Sequence, residues 1–182
     1  MRTYTSIEMN GEILPPHYIS GLVDGEGCFA LNFRRDKKYG RRGKHEYFYW
    51  TIKFIIVLRN DDEDLLQKVR KTLDCGYVRV YEDQARYSVD GIEDLKGKVV
   101  PFFSRYRLYG KKHRDFLLWA KALDILYLNR QQTIQKGKQG FAKMQLKPTD
   151  IQSLLEIRKE MEAYKSKGPA WKWLSMLSGG NK

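Results

Sequence analysis

The sequence predicts an α+β fold with an antiparallel sheet, ordered α-β-β-α-β-β-α with further helices behind. Three observations carry that expectation. Apolar residues alternate from Cys28 to Arg34 and again from Phe48 to Ile56, which is strand spacing. The spacing turns helical between Asn60 and Leu73. The same exchange of period two for helical spacing then happens again, from Tyr77 onward. With 182 residues and an apolar fraction of 42%, the chain suits one domain with a buried core, and no internal repeat stands out. The expected boundaries are an N-terminal arm over 1–14, a domain over 15–165 and a C-terminal tail over 166–182.

The elements follow in order. Asn10-Gly11 marks a turn in a polar arm, and Pro15-Pro16 suits a helix start, since proline is tolerated in a first turn. A helix from Pro16 to Asp24 is expected to end against Gly25-Glu26-Gly27. In the first strand Phe29, Leu31 and Phe33 share a face opposite Asn32 and Arg34. Residues 37–46 read as a basic, glycine-punctuated loop. In the partner strand Phe48, Trp50, Ile52, Phe54 and Ile56 alternate with Tyr49, Thr51, Lys53 and Ile55. The acidic run Asn60-Asp61-Asp62-Glu63 favours a helix N-terminus, and Gly76 is the expected stop. Tyr77–Tyr81 and Arg86–Val89 form a second hairpin. Helices are then expected over about 92–104, interrupted at Pro101, and over 112–128 and 149–164, with a Trp-rich tail packing down behind them.

Charge narrows the function classes. Lys and Arg number 34 against 22 Asp and Glu, leaving +12, and a surface this basic attracts polyanions. The interleaving of that charge with Tyr, Trp and Thr in strands favours nucleic acid over an acidic membrane. Cys28 and Cys75 are too few for a disulfide scaffold, and His17, His45 and His113 have no zinc spacing. No apolar run approaches the ~20 residues that span a bilayer, and Met1-Arg2-Thr3-Tyr4 lacks a secretory core. The expectation is an intracellular protein, cytoplasmic or organellar, without a membrane partner. Gly25-Glu26-Gly27-Cys28-Phe29-Ala30 matches a dinucleotide fingerprint, but helix precedes and strand follows, the reverse of that site.

The informative segment is Tyr18-Ile19-Ser20-Gly21-Leu22-Val23-Asp24-Gly25-Glu26-Gly27-Cys28-Phe29. Gly21 and Gly25 stand four apart in or at the end of a helix, where each glycine costs about 1 kcal/mol relative to alanine. Small residues at that spacing let a second helix approach backbone to backbone. Asp24 is placed to satisfy donors of the helix end, whereas Glu26 is free to enter a groove between two helices. A carboxylate beside an exposed carbonyl, here that of Gly25, is a suitable half-site for Mg²⁺. Against this stands the bland alternative that Glu26 merely caps a turn or is solvated there.

Residues 19–27 resemble the LAGLIDADG motif, and the resemblance extends through the strand order to Leu58-Arg59-Asn60-Asp61-Asp62, Gly76-Tyr77-Val78-Arg79 and Lys111-Lys112-His113-Arg114-Asp115-Phe116, about residues 16–164. It implies a homing endonuclease of the single-motif kind. Two motif helices pack together in a homodimer, with Ser20, Gly21, Asp24 and Gly25 in the seam, on a pseudo-palindromic double-stranded DNA site. Glu26 and the Gly25 carbonyl would hold Mg²⁺, or another divalent cation such as Mn²⁺. The reaction implied is phosphodiester hydrolysis that leaves 3′ overhangs. Lys112, or its neighbour Lys111, would act on the scissile phosphate, or the pair would simply clamp flanking phosphates. The family's water-orienting polar residue has no clean owner here, and Arg59 is the nearest. The polar strand faces assign DNA reading to Asn32, Arg34, Tyr49, Thr51, Lys53, Arg79, Tyr81, Arg86 and Ser88, with Asp36 among them. Lys37, Lys38, Arg41, Arg42 and Lys44 are assigned to phosphates. The rival readings are an intron RNA maturase of the same fold and a basic DNA-binding protein that does not cut.

Overall fold

The computed structural model describes residues 13–40, 43–135 and 146–163. The expected arm up to residue 12, Arg41 and Arg42, and the tail 166–182 lie outside the described residues, as do the side chains of Lys38 and Lys44.

Helix α1 (Pro16–Glu26) starts at a proline and accepts the N–H groups of Tyr18 and Ile19 on the Pro15 carbonyl. It buries Ile19, Ser20 and Val23. It runs two residues past its expected end, taking in Gly25 and Glu26, because no loop follows. Strand β1 (Gly27–Gly40) begins at once, and the Gly27 N–H donates to the Val23 carbonyl. A Cβ on Gly27 would lie 2.5 Å from Val23 Cγ1, so this abrupt exit from helix into strand needs glycine.

Strand β1 pairs antiparallel with β2 (Gly43–Arg59) from Gly27↔Ile56 to Gly40↔Gly43. The expected loop over 37–46 is therefore mostly hairpin, and the glycines bracket its tip instead of breaking it. Opposite charges support the extension: Lys37 faces Glu46 in the register, and Arg35 forms an ion pair with Glu46. After a 3₁₀ turn (Asn60–Asp62) comes α2 (Glu63–Leu73). It ends at Asp74 in the left-handed conformation (φ 52°), with Gly76 (φ 75°) leading into the next strand; the stop expected at Gly76 is thus shared by two residues. Strands β3 (Tyr77–Val80) and β4 (Gln84–Val89) complete a four-stranded sheet of order β1-β2-β4-β3.

The segment expected to break at Pro101 is helical throughout. Helix α3 (Ile92–Asp94), a π turn (Leu95–Val99) and α4 (Val100–Arg105) follow without a gap. The widened π turn sits just before Pro101, where an α-helical backbone would press the ring on the Gly97 carbonyl. Two longer helices finish the described chain, α5 (Lys112–Gln135) and α6 (Pro148–Glu162).

The helices cover one face of the sheet. Phe29, the centre of that layer, stacks with Phe54 (5.2 Å between ring centroids) and meets Phe103, Phe116 and Trp119 at 5.3–5.7 Å. Ile19 and Val23 of α1, Leu66 and Val69 of α2 and Leu154 of α6 lie in the same buried cluster. The other face of the sheet carries no helix residue of that cluster and faces outward. Among the described residues no helix is long and apolar enough to cross a membrane.

Candidate active site and nucleic-acid interface

The C-terminal end of α1 is fastened by the segment entering α5. Asp24 accepts the backbone N–H of Tyr109 on Oδ2 (2.8 Å) and of Gly110 on Oδ1 (3.1 Å). Lys112, the first residue of α5, donates its Nζ to the carbonyls of Gly25 (3.0 Å) and Val23 (3.4 Å). The pairing follows from the dipoles of the two helices. A lysine is unfavourable at the positive end of α5, and the negative end of α1 offers it orphan carbonyls. At the other end of α1 the Ser20 hydroxyl donates to the Tyr106 carbonyl (2.8 Å), and His17 meets the Tyr106 ring edge-on. Lys111 is exposed and His113 half-buried.

Glu26 closes the helix on its exposed side, and its carboxylate makes no hydrogen bond or ion pair among the described residues. It therefore does not cap the turn; within one copy its exposed side chain is solvated there. Among the described residues one face of α1 has no cover: Tyr18 is 49% exposed, and a Cβ added to Gly21 or Gly25 would meet nothing within 4 Å. Tyr18, Gly21 and Gly25 fall on that face at helical spacing, and Leu22 at its border is partly buried against the core. Ser20 does not, being 3% exposed and turned into the fold by its bond to Tyr106, so the expected seam residue Ser20 is corrected to a core position. Asp24 is likewise spent within the chain, on two backbone donors.

The donor set fits a hard divalent cation with one reservation. Glu26 offers an unpartnered carboxylate, and Mg²⁺ takes few protein oxygens and keeps waters. The Gly25 carbonyl, however, already accepts from Lys112, which brings a positive charge to the same oxygen. Among the described residues no three His, Cys, Asp or Glu side chains gather as a metal-binding group. Among the described residues, Glu26 is the carboxylate left without a partner at this end of α1.

The outward face of the sheet collects the residues assigned to DNA. The register sets Asn32 opposite Thr51, Arg34 opposite Tyr49, and Arg79 opposite Arg86. Several are tied to acids. Tyr49 donates to Asp36 (2.5 Å), and that bond, with burial adding to it, raises the Tyr49 pKa. Lys53 and Tyr77 both reach Asp90, at 3.2 and 3.0 Å. Burial first, then the bond to Asp90, raises the Tyr77 pKa. Arg79 lies over the Tyr77 ring at 4.9 Å. Two guanidinium groups opposite one another on adjacent strands repel, and the Arg86 Nε is buried with no hydrogen-bond partner among the described residues. Arg34 and Tyr81 are exposed. Ser88 is the correction on this face: at 4% exposure it lies beneath its neighbours and offers no reading group. Arg59 is held by Asp61 (Nη2 to Oδ2, 2.8 Å) on an exposed corner. Sequence spacing missed one polar contact of this face altogether: Arg158 of α6 donates to Asn32 Oδ1 at 3.2 Å.

Comparison with known proteins meets this geometry at residues 19–123, which match the model of the LAGLIDADG endonuclease family. The chain belongs to the LAGLIDADG endonuclease family. The match takes in α1, both hairpins and the first half of α5. Among curated relatives, "Probable intron-encoded endonuclease 2" of Neurospora crassa is 25% identical over 142 residues, 75% of this chain and 29% of that protein. "Probable intron-encoded DNA endonuclease 1" of Mycosarcoma maydis is 32% identical over 102 residues, 56% of this chain and 34% of that protein. The chain thus spans about a third or less of these relatives' length. Among solved structures, the homing endonuclease I-TnaI superposes with a TM-score of 0.65 at 27% identity, covering 92% of this chain and 95% of that one. The LAGLIDADG homing endonuclease I-SmaMI bound to cleaved DNA shares the fold, with a TM-score of 0.65 at 21% identity, over 88% of this chain and 47% of that one.

Proposed function

We propose that the chain is a site-specific DNA endonuclease of the homing type, active as a homodimer on a pseudo-palindromic double-stranded site. The observation that carries this reading is Glu26: a carboxylate without a partner among the described residues, at the tip of a helix whose glycine face none of them covers. Packing that face on its copy brings two such carboxylates to one seam, and glycine at 21 and 25 permits the close approach. The outward sheet face supports the substrate. Arg79 and Arg86 face each other with no carboxylate partner among the described residues, a repulsion that a polyanion would relieve. A two-stranded ribbon also fits the major groove.

The chain's own residues divide the chemistry. Glu26 from each copy would hold a divalent cation, Mg²⁺ or Mn²⁺, with the Gly25 carbonyl as a second oxygen. When bound, that ion supplies Lewis-acid activation of water and neutralises charge on the leaving oxygen. Lys112, fixed beside the same helix end, turns its ammonium to the scissile phosphate as DNA arrives. Asp24 keeps the helix tip in place through Tyr109 and Gly110. Each strand is hydrolysed once, with a stagger leaving 3′ overhangs. The proposed setting is an intron-encoded enzyme acting in the cytoplasm or an organelle.

The test is a cleavage selection on a randomised DNA library with Mg²⁺. Recovery of one long, nearly two-fold symmetric target with 3′ overhangs supports the reading. Tight DNA binding with no cut sequence in the presence of Mg²⁺ or Mn²⁺ contradicts it and turns the assignment to a binding protein or an intron RNA cofactor.

A further inference from the structure

We infer that Arg158 is a specificity-positioning residue: it fixes the carboxamide of Asn32 so that its N–H₂, not its oxygen, faces the DNA. The inference rests on the DNA-reading role proposed above for the sheet face. Strand β1 is an edge of the sheet, and α6 reaches that edge from the far end of the chain. Arg158 sits there with its guanidinium shared three ways. Its Nε and Nη2 are held by Glu162 one turn on (2.8 and 2.5 Å), and its Nη1 donates both to the Leu31 carbonyl and to Asn32 Oδ1, the latter at 3.2 Å. The side chain is only 15% exposed. Arg158 lies on α6, beyond the family match, which ends at residue 123.

The chemistry leaves one orientation. A guanidinium has donors and no acceptor, so Asn32 must turn its oxygen to Arg158 and its amino group away. The reversed amide would set donor against donor. Asparagine reads adenine by accepting from N6 and donating to N7. With Oδ1 turned towards Arg158, the N–H₂ is the end of the carboxamide left to face outward, and Asn32 acts there as a donor. It is matched by the acceptor edges of guanine, adenine N7 or thymine O4, and mismatched by the N4 amino group of cytosine. The Leu31 carbonyl and Glu162 anchor the guanidinium whether or not DNA is present, so the orientation is set before binding.

The experiment is a base-preference profile over all target positions for the full-length protein and five variants. Asn32→Ala identifies the symmetric pair of positions that Asn32 reads. There the wild type is expected to disfavour cytosine about tenfold or more, the scale of one good base contact. Arg158→Leu should abolish that bias at those positions alone, Arg158→Lys, which keeps a donor, should retain it, and Glu162→Gln should weaken it. Asn32→Asp, whose second oxygen faces outward as an acceptor, should invert it towards cytosine. An Arg158→Leu profile identical to wild type where Asn32→Ala relaxes it overturns the inference and leaves the endonuclease reading intact. So does a uniform loss of affinity across all sequences, which marks Arg158 as a packing or phosphate residue. A wild type without any base preference overturns both.

Discussion

The glycines of α1 and those at the two strand entries obey opposite rules. At Gly27 and Gly76 the fold of a single chain forbids a side chain. A Cβ would lie 2.5 Å from Val23 Cγ1 at the first, and 2.6 Å from the Ser88 carbonyl at the second, where φ is also +75°. At Gly21 and Gly25 nothing within 4 Å forbids one, although helical glycine costs about 1 kcal/mol relative to alanine. The first pair explains itself within one copy. The second pair is unexplained by the described residues of one copy, and the proposed homodimer would account for it with a second helix lying against it. A polar contrast runs alongside. Around Gly76 the groups are satisfied internally: the Tyr87 hydroxyl donates to the Cys75 carbonyl at 3.0 Å, and Lys98 reaches Asp74. At the tip of α1 the Glu26 carboxylate is left over.

Substitutions sharpen that contrast, beginning with the largest. Gly76→Ala and Gly27→Ala should each lower the unfolding free energy on the order of 3 kcal/mol, through overlap and, at 76, backbone strain. Denaturant titration reads this, and a change below about 0.5 kcal/mol would remove the steric account. Tyr87→Phe comes next. It leaves a buried carbonyl without its donor and should cost about 1–2 kcal/mol. The same burial raises the pKa of Cys75, so a thiol reagent should label exposed Cys28 promptly and Cys75 only on unfolding. Rapid labelling of both would show this end of the sheet to be loosely closed.

Gly21→Ala and Gly25→Ala should leave folding unharmed or improve it by up to about 1 kcal/mol, while weakening self-association in sedimentation. Loss of folding with unchanged self-association would reverse the comparison. Smallest is the exposed Asp74–Lys98 pair, read by the difference in melting temperature between wild type and Asp74→Asn. The bond to Lys98 lowers the Asp74 pKa. Its stabilisation is therefore present above the ordinary aspartate value and disappears as pH falls through the lowered one. At the alkaline end the Lys98 pKa is raised by the same bond, so the benefit is whole below the ordinary lysine value and fades as pH climbs through the raised one.

What the sequence made legible was periodic. The alternation in Phe29, Leu31 and Phe33, and in Trp50, Ile52, Phe54 and Ile56, marked the buried sheet face, and the glycine-bearing motif marked the helix that ends at Glu26. What it hid was set by contacts distant in the chain. Ser20 looks like a small seam residue until Tyr106, 86 positions on, takes its hydroxyl. Ser88 keeps the parity of the reading face, yet its neighbours cover it. The hairpin of 37–46 reads as a loop because charge and glycine dominate its composition, whereas cross-strand pairing decides it. The lock of Arg158 on Asn32 spans 126 positions and leaves no local trace.

The most direct measurement compares wild type and Glu26→Gln on the selected target, scoring cleavage in Mg²⁺ and binding in Ca²⁺. Glutamine keeps the shape and removes the charge. The account predicts binding within about twofold of wild type with cleavage reduced by at least the ~10²–10³-fold typical of removing one electrostatic stabiliser of the reaction. Equal cutting by the variant would take Glu26 out of the chemistry, and the paired helix tips with it.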